Sequence, residues 1–276
     1  MYLCFTNDID AQKIFDTHIH GARDAGAQIA ELKAAGVYKA ALSTSYASQR
    51  TYTSDAKMHI LKGLMIACPE GKVPYSGQSC FGDNTHFPDL AWVESQIKEK
   101  QIDFIGEVLS QYYGISPSDN LLLPYYALAE KYGIPVGIHT GLAGPDHGSP
   151  NFKVGLGSPI LLEGLLQKFK NLKVWIMHCG APFLEDTIAI MGYYTNVYAD
   201  ISAISNPGIF RPGDFYHIVK RLVDAGLEDR LMFGSDNGDI NKVVANVNSL
   251  DFLTQEQKEK IFFRNAETFF SRTKVE

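Results

Sequence analysis

The sequence lacks the features that would assign several protein classes at once. Its 276 residues contain no run of 18 consecutive apolar residues, so no transmembrane helix is expected and no membrane partner. Basic charge is not in surplus. The 25 Lys and Arg against 31 Asp and Glu leave a formal net charge of -6, which gives no general pull on nucleic acid or acidic lipid. Cysteine is scarce, and Cys4, Cys68, Cys80 and Cys179 form no C-x-x-C pair. In a chain of this length they read as small apolar fillers rather than a disulfide frame. The start, MYLCFTNDID, has neither a basic segment nor a long apolar one, so no signal peptide is visible and the expected compartment is the cytoplasm. No repeat, low-complexity tract or linker divides the chain, which predicts a single domain over residues 1–276. Hydrophobic residues at 45% and charged residues at 20% exclude disorder, collagen and coiled coil.

What is present is alternation. Short apolar runs at 13–20, 37–45, 63–68, 102–109, 134–141, 172–180, 195–202 and 229–236 are separated by stretches of helical character. The helical stretches are 24–36, about 54–61, 88–100, 118–133, 161–171, 182–192, 213–226 and 255–272. Strands alternating with helices argue for a parallel sheet with crossover helices. Eight such units in a chain of this size predict an α/β fold closed as a (β/α)8 barrel. Long loops at 69–89 and 141–159 follow the third and fifth strands. They are expected on the face where barrel enzymes keep their sites.

The chemistry gathers at strand ends. His18 and His20 stand two apart on the first strand, so their side chains share a face, with Cα atoms about 6.6 Å apart. Alone, an H-x-H pair is as often structural as metal-binding. Here, however, His139, His178 and Asp236 close the fifth, sixth and eighth runs, and Glu107 lies near the end of the fourth. Four imidazoles and two carboxylates converging inside a barrel cannot remain unpaired, and one or two shared divalent metals satisfy them together. Imidazole with carboxylate suits zinc first, with manganese, iron, cobalt or nickel as alternatives. Gly137 and Gly234, two residues before His139 and Asp236, are expected to leave room for a cavity.

With these residues in place, the chain resembles the metal-dependent amidohydrolase superfamily, and within it the amidohydrolase-related branch (amidohydrolase family 2). The stretches that carry the resemblance are FDTHIHG (15–21), IGEVL (105–109), ALAEKYGIPVGIHTG (127–141), KVWIMHCG (173–180), NVYADIS (196–202), RLMFGSD (230–236) and FFRNAETFF (262–270). The resemblance implies that His18 and His20 bind the more buried metal. It implies that Asp236 binds the same ion and takes a proton from the attacking water. His139 and His178 then hold a second metal, or the substrate and water in single-metal members. Glu107 falls where many members carry a carbamylated lysine and is similar to the glutamate of TatD-like members. A carboxylate there bridges two metals without modification and is not typical of decarboxylating members.

These positions predict a metal-dependent hydrolase acting on a small-molecule amide, ester, lactone or phosphoester, with Asp236 and His178 as catalytic residues. The alternatives are a decarboxylase or hydratase of a small carboxylic acid, a nuclease of TatD type, and a barrel that binds ligand without turnover. The acidic net charge counts against the nuclease. Arg23, Tyr112, Tyr113 and His147 are candidates for contact with substrate. Asp16 and Asp200 are candidates for orienting a ligating histidine, and His59, His86 and His217 read as surface residues. The aromatic content of 12% allows a homodimer.

Overall fold

The computed structural model describes residues 12–82, 85–142 and 144–271. The reading of the N-terminal segment, with Cys4, lies outside them. The strands are β1 (Ile14–His20), β2 (Val37–Thr44), β3 (His59–Ile66), β4 (Phe104–Val108), β5 (Val136–Ile138), β6 (Val174–Ile176), β7 (Val197–Asp200) and β8 (Leu231–Met232). Each pairs in parallel with the next, in chain order from β1 to β8. The residues after β8 return to β1. Thr17 N donates to Phe233 O at 2.9 Å, and Asp236 N donates to His18 O at 2.9 Å. The fold is the predicted (β/α)8 barrel.

Helices form where the sequence supplies ends for them. The Asp24 carboxylate accepts from Ala27 N at the start of Ala25–Ala34, and the Asp89 carboxylate accepts from Trp92 N at the start of Leu90–Lys98. Thr254 and Gln257 cap the first turn of Gln255–Glu259 reciprocally. Gly133, at φ 62°, ends Leu123–Tyr132 in the left-handed conformation that glycine adopts most readily. That helix begins later than the predicted 118 because Pro124 sits in its first turn, where a missing N–H costs nothing. The predicted helix at 54–61 is absent. The Asp55 carboxylate instead accepts from Lys57 N and Met58 N and turns the chain into β3, whose first residue is the exposed His59.

Apolar side chains pack in two main layers. Branched residues between strands and helices form the larger one. A second cluster, Phe15, Phe104, Trp175 and Met232, fills the amino-terminal end of the barrel and is closed by Phe269 and Phe270 of the helix Asn265–Phe270. Lys173 Nζ fastens that helix by donating to Phe269 O and Ser271 O. With this end plugged, only the carboxyl ends of the strands are left for a site. No helix among the described residues is long and apolar enough to cross a membrane.

The cysteine reading requires correction. Cys68 and Cys80 form a disulfide, with Cα atoms 6.6 Å apart. The chain after β3 doubles back on itself through a Lys72–Ser79 bridge, and Cys80 N donates to Gly71 O at 2.9 Å. This fold-back brings together two thiols that nothing in their spacing pairs. Cys179 is buried and free, as a packing residue should be, and its Sγ donates to Asp200 O at 3.0 Å. The two glycines also do something other than predicted. A Cβ at Gly137 would meet Trp175 and Met177 at 2.5 Å, and one at Gly234 would meet Ser202 at 2.8 Å and His18 at 3.0 Å. Both make room for packed side chains rather than for a cavity.

Candidate metal centre

The four predicted histidines form one contiguous group. Ring centroids lie 4.9 Å apart for His18 and His20, 4.8 Å for His18 and His178, and 5.0 Å for His139 and His178. His18 and His20 come from β1. His139 follows β5 directly, and its N accepts position from β4 by donating to Val108 O at 3.2 Å. His178 and Asp236 lie beyond strands that end earlier than predicted, because the backbone turns left-handed there. The φ angles are 61° at His178, 51° at Cys179, 49° at Asp236 and 54° at Asn237. Such angles cost non-glycine residues on the order of 1 kcal/mol or more each, and they concentrate at functional sites.

Three of the imidazoles, those of His18, His20 and His178, are aimed by their Nδ1 nitrogens. His18 Nδ1 lies 3.0 Å from Asp200 Oδ2 and 3.0 Å from Ser202 Oγ. His178 Nδ1 lies 2.8 Å from the same hydroxyl, and Ser202 Oγ donates to Asp200 Oδ1 at 2.5 Å. Asp200 Oδ2 also accepts from Trp175 Nε1 at 3.0 Å, and Oδ1 accepts from His178 N at 2.8 Å. His20 Nδ1 donates to Ser43 O at 2.8 Å. These anchors turn the Nε2 atoms of His18, His20 and His178 toward the carboxylates. Asp16 serves the backbone rather than a ring: its Oδ1 accepts from His18 N and Ser235 N, at 3.1 and 3.0 Å. Burial raises the Asp16 carboxyl to about 6 despite those bonds.

Glu107 stands between two groups of nitrogens. Its Oε2 lies 3.8 Å from His20 Nε2, whereas its Oε1 lies 2.5 Å from His139 Nδ1 and 3.9 Å from His178 Nε2. Asp236 Oδ1 lies 3.0 Å from His20 Nε2 and 3.9 Å from His18 Nε2. Burial opposes ionisation of both carboxyls, but the imidazoles outweigh it and hold both well below the usual carboxylate range. Burial likewise opposes a charge on His20, yet Asp236 and Glu107 raise it to about 9. His178 is raised in the same way, while burial wins at His139 and lowers it.

This donor set fits a divalent cation. His18 Nε2 is fully buried and has no hydrogen-bond partner among the described residues, and an orphaned buried nitrogen is costly unless something binds it. His18, His20 and Asp236 each place one donor atom within 4.8 Å of the others, and so do His18, Glu107 and His178. Imidazole nitrogens with carboxylate oxygens suit zinc, manganese and similar ions.

A cavity of about 640 Å³ opens above this cluster. Both long loops reach it, as do the turns after β7 and β8. Its walls include Tyr75 from the first loop, Leu142, Pro145 and His147 from the second, and Ile209, Phe210 and Asn237. Tyr112 lines it as well, with its ring 4.8 Å from that of His139. Of the four candidates for substrate contact, Tyr112 and His147 are therefore in the pocket, and two are not. Arg23 is exposed and lines a separate hollow beside the helix Ala25–Ala34. The Tyr113 ring packs against His86 and Phe87. Sequence reasoning passed over Tyr75, Ser202 and Asn237. Their only signals were membership of a long loop and adjacency to Asp200 and Asp236.

A barrel whose strand ends converge four imidazoles and two carboxylates beneath one pocket has the architecture of an amidohydrolase-type enzyme. The family model described as Amidohydrolase matches residues 91–272, and the chain belongs to that family, whose enzymes use divalent metals. The β1 histidines lie upstream of the matched span. Among solved structures the chain is similar to dihydroorotase from Campylobacter jejuni, with a TM-score of 0.61 at 18% identity, covering 96% of this chain and 85% of that one. It is also similar to 5-carboxyvanillate decarboxylase LigW from Sphingomonas paucimobilis, with a TM-score of 0.61 at 12% identity and coverages of 95% and 100%. A third is LigW2 from Novosphingobium aromaticivorans with bound manganese, with a TM-score of 0.58 at 16% identity and coverages of 90% and 81%. At these identities the likeness is one of fold. No curated protein matches the chain.

Proposed function

We propose that this enzyme is a hydrolase of small-molecule amides, esters, lactones or phosphoesters, working with two divalent cations. The observation that carries the reading is the bridging posture of Glu107. One of its oxygens faces His20, and the other faces His139 and His178. In this reading His18, His20 and Asp236 would hold one ion and His139 and His178 the other, with the Glu107 carboxylate available to both. Zinc is the proposed metal, with manganese, iron, cobalt or nickel compatible with the same donors. The chemistry that bound cations would supply there is a water pKa lowered toward about 7 and a polarised substrate oxygen.

The remaining work falls to side chains. Asp236 is held ionised and lines the pocket, so it can accept a proton from water and return it to the leaving group. His178, aimed by Ser202, fixes the geometry on the opposite side. Leu142, Pro145, Ile209 and Phe210 offer an apolar wall for the body of the substrate. Decarboxylation of a small carboxylic acid is the second reading, and the Glu107 carboxylate favours hydrolysis over it.

The test is a panel of lactones, esters, amides and phosphoesters assayed before and after chelation, with metal then restored. Hydrolysis that disappears with chelator and returns with metal supports the reading, and hydrolysis indifferent to chelation overturns it. A homodimer is proposed on the sequence alone, and light scattering decides it. The cytoplasm is likewise proposed from the sequence. A Cys68–Cys80 disulfide found intact in protein quenched directly from cells would move the enzyme to an oxidising compartment.

A further inference from the structure

Tyr75 has a hydrogen-bond donor to spare. It lies on the segment closed by the Cys68–Cys80 disulfide, at a sequence separation of 12, and its ring is tilted against that of His20 with centroids 4.3 Å apart. Its hydroxyl sits 2.7 Å from His20 Nδ1. That nitrogen is also 2.8 Å from Ser43 O, and a carbonyl oxygen only accepts, so Nδ1 carries a hydrogen. The Tyr75 hydroxyl therefore cannot donate to Nδ1 and can only share its hydrogen as a second acceptor. Among the described residues the one other partner of the hydroxyl is Met65 Sδ at 3.5 Å, a weak acceptor. The phenolic hydrogen is left without a good acceptor on the wall of the pocket, beside Glu107 and Asp236.

We propose that Tyr75 donates this hydrogen bond to the oxygen of the substrate group under attack, which makes it a catalytic residue on a disulfide-closed loop. The proposal rests on the hydrolytic reading above. A donor held beside the position where negative charge develops strengthens as the reaction proceeds, and removing one such donor lowers kcat on the order of 100-fold. Because that gain belongs to the transition state, KM should change little. The staple supports the role, since a closed loop holds the phenol in place before substrate arrives.

Tyr75→Phe removes the hydroxyl and keeps the ring. Three quantities are compared with the wild type: metal content, kcat and KM on a substrate found by the panel, and the affinity of benzohydroxamate for the metal-loaded protein by calorimetry. The expected result is unchanged metal content, kcat down roughly 100-fold with KM within about threefold, and benzohydroxamate bound about tenfold more weakly. Kinetics and probe affinity both within twofold of wild type would overturn the proposal. So would a fall in metal content matching the fall in kcat, which would mean that the hydroxyl acts only through His20. Should the wild type hydrolyse nothing in the panel, the hydrolytic reading fails, and the benzohydroxamate titration still decides for or against the Tyr75 donor.

Discussion

Asp200→Asn should weaken metal binding although Asp200 is fully buried and does not line the pocket. The wild-type carboxylate accepts on both oxygens. Oδ1 takes His178 N, Ser202 N and Ser202 Oγ, and Oδ2 takes His18 Nδ1 and Trp175 Nε1. An amide has one accepting oxygen. Keeping it on the three donors at Oδ1 turns the NH2 toward His18 Nδ1 and Trp175 Nε1. His18 relieves the clash by accepting at Nδ1 and moving its hydrogen to Nε2, the atom that otherwise has no partner among the described residues. A protonated Nε2 cannot ligate. Loss of a partner that orients a ligating histidine costs about 10- to 100-fold in metal affinity, or about 1.4–2.7 kcal/mol. Trp175 Nε1 is left buried without an acceptor, a further cost of about 1–3 kcal/mol in stability. Zinc competition against a chromophoric chelator measures the first effect, and urea unfolding of metal-free protein measures the second. Zinc affinity within twofold of wild type would show that Asp200 does not set the His18 tautomer, and the account of how the imidazoles are aimed would fall.

Other outcomes follow from the same geometry. Asp236→Asn should lower turnover at least 1,000-fold, as expected on the order-of-magnitude scale for a group that both ligates and moves the proton; unchanged turnover at constant metal content would remove Asp236 from the mechanism. In metal-stripped protein, His20 is raised from 6.5 to about 9. Its bound proton therefore stabilises the fold fully below pH 6.5, and that contribution is lost as pH rises toward about 9. The urea midpoint of stripped protein should fall across that window and that of metal-loaded protein should not; identical profiles would contradict the pairing of His20 with Asp236 and Glu107. Gly137→Ala should destabilise by about 1–3 kcal/mol, because the added methyl meets Trp175 and Met177 at 2.5 Å; a neutral change in thermal unfolding would mean that this layer repacks freely.

Much of the fold was legible because short apolar runs recur eight times along the chain, and each marks a strand of the barrel. The failures were local. Residues 54–58 carry helix-compatible types, but Asp55 prefers to bond the backbone two and three residues on, and no periodicity count registers that. The candidate centre was legible as a gathering of residues, because His18, His20, Glu107, His139, His178 and Asp236 interrupt apolar runs where an unpaired polar group would be costly. Its support was not. Ser202 is a small polar residue in a strand-like stretch, and only folding puts its hydroxyl between His18 and His178. Tyr75 and the Cys68–Cys80 disulfide lie in a long loop whose fold-back has no periodic signature. Arg23, one residue before the capping Asp24, shows the converse: nearness to the H-x-H pair along the chain does not bring a side chain into the pocket.

The central claim is a pair of ions bridged by Glu107, and anomalous diffraction from zinc-loaded crystals tests it most directly. The account predicts two peaks per chain, one among His18, His20 and Asp236 and one beside His139 and His178, with Glu107 between them. Zinc-loaded crystals with no peak among those six residues would contradict the metal centre altogether, and a lone peak held without Glu107 would contradict the bridge.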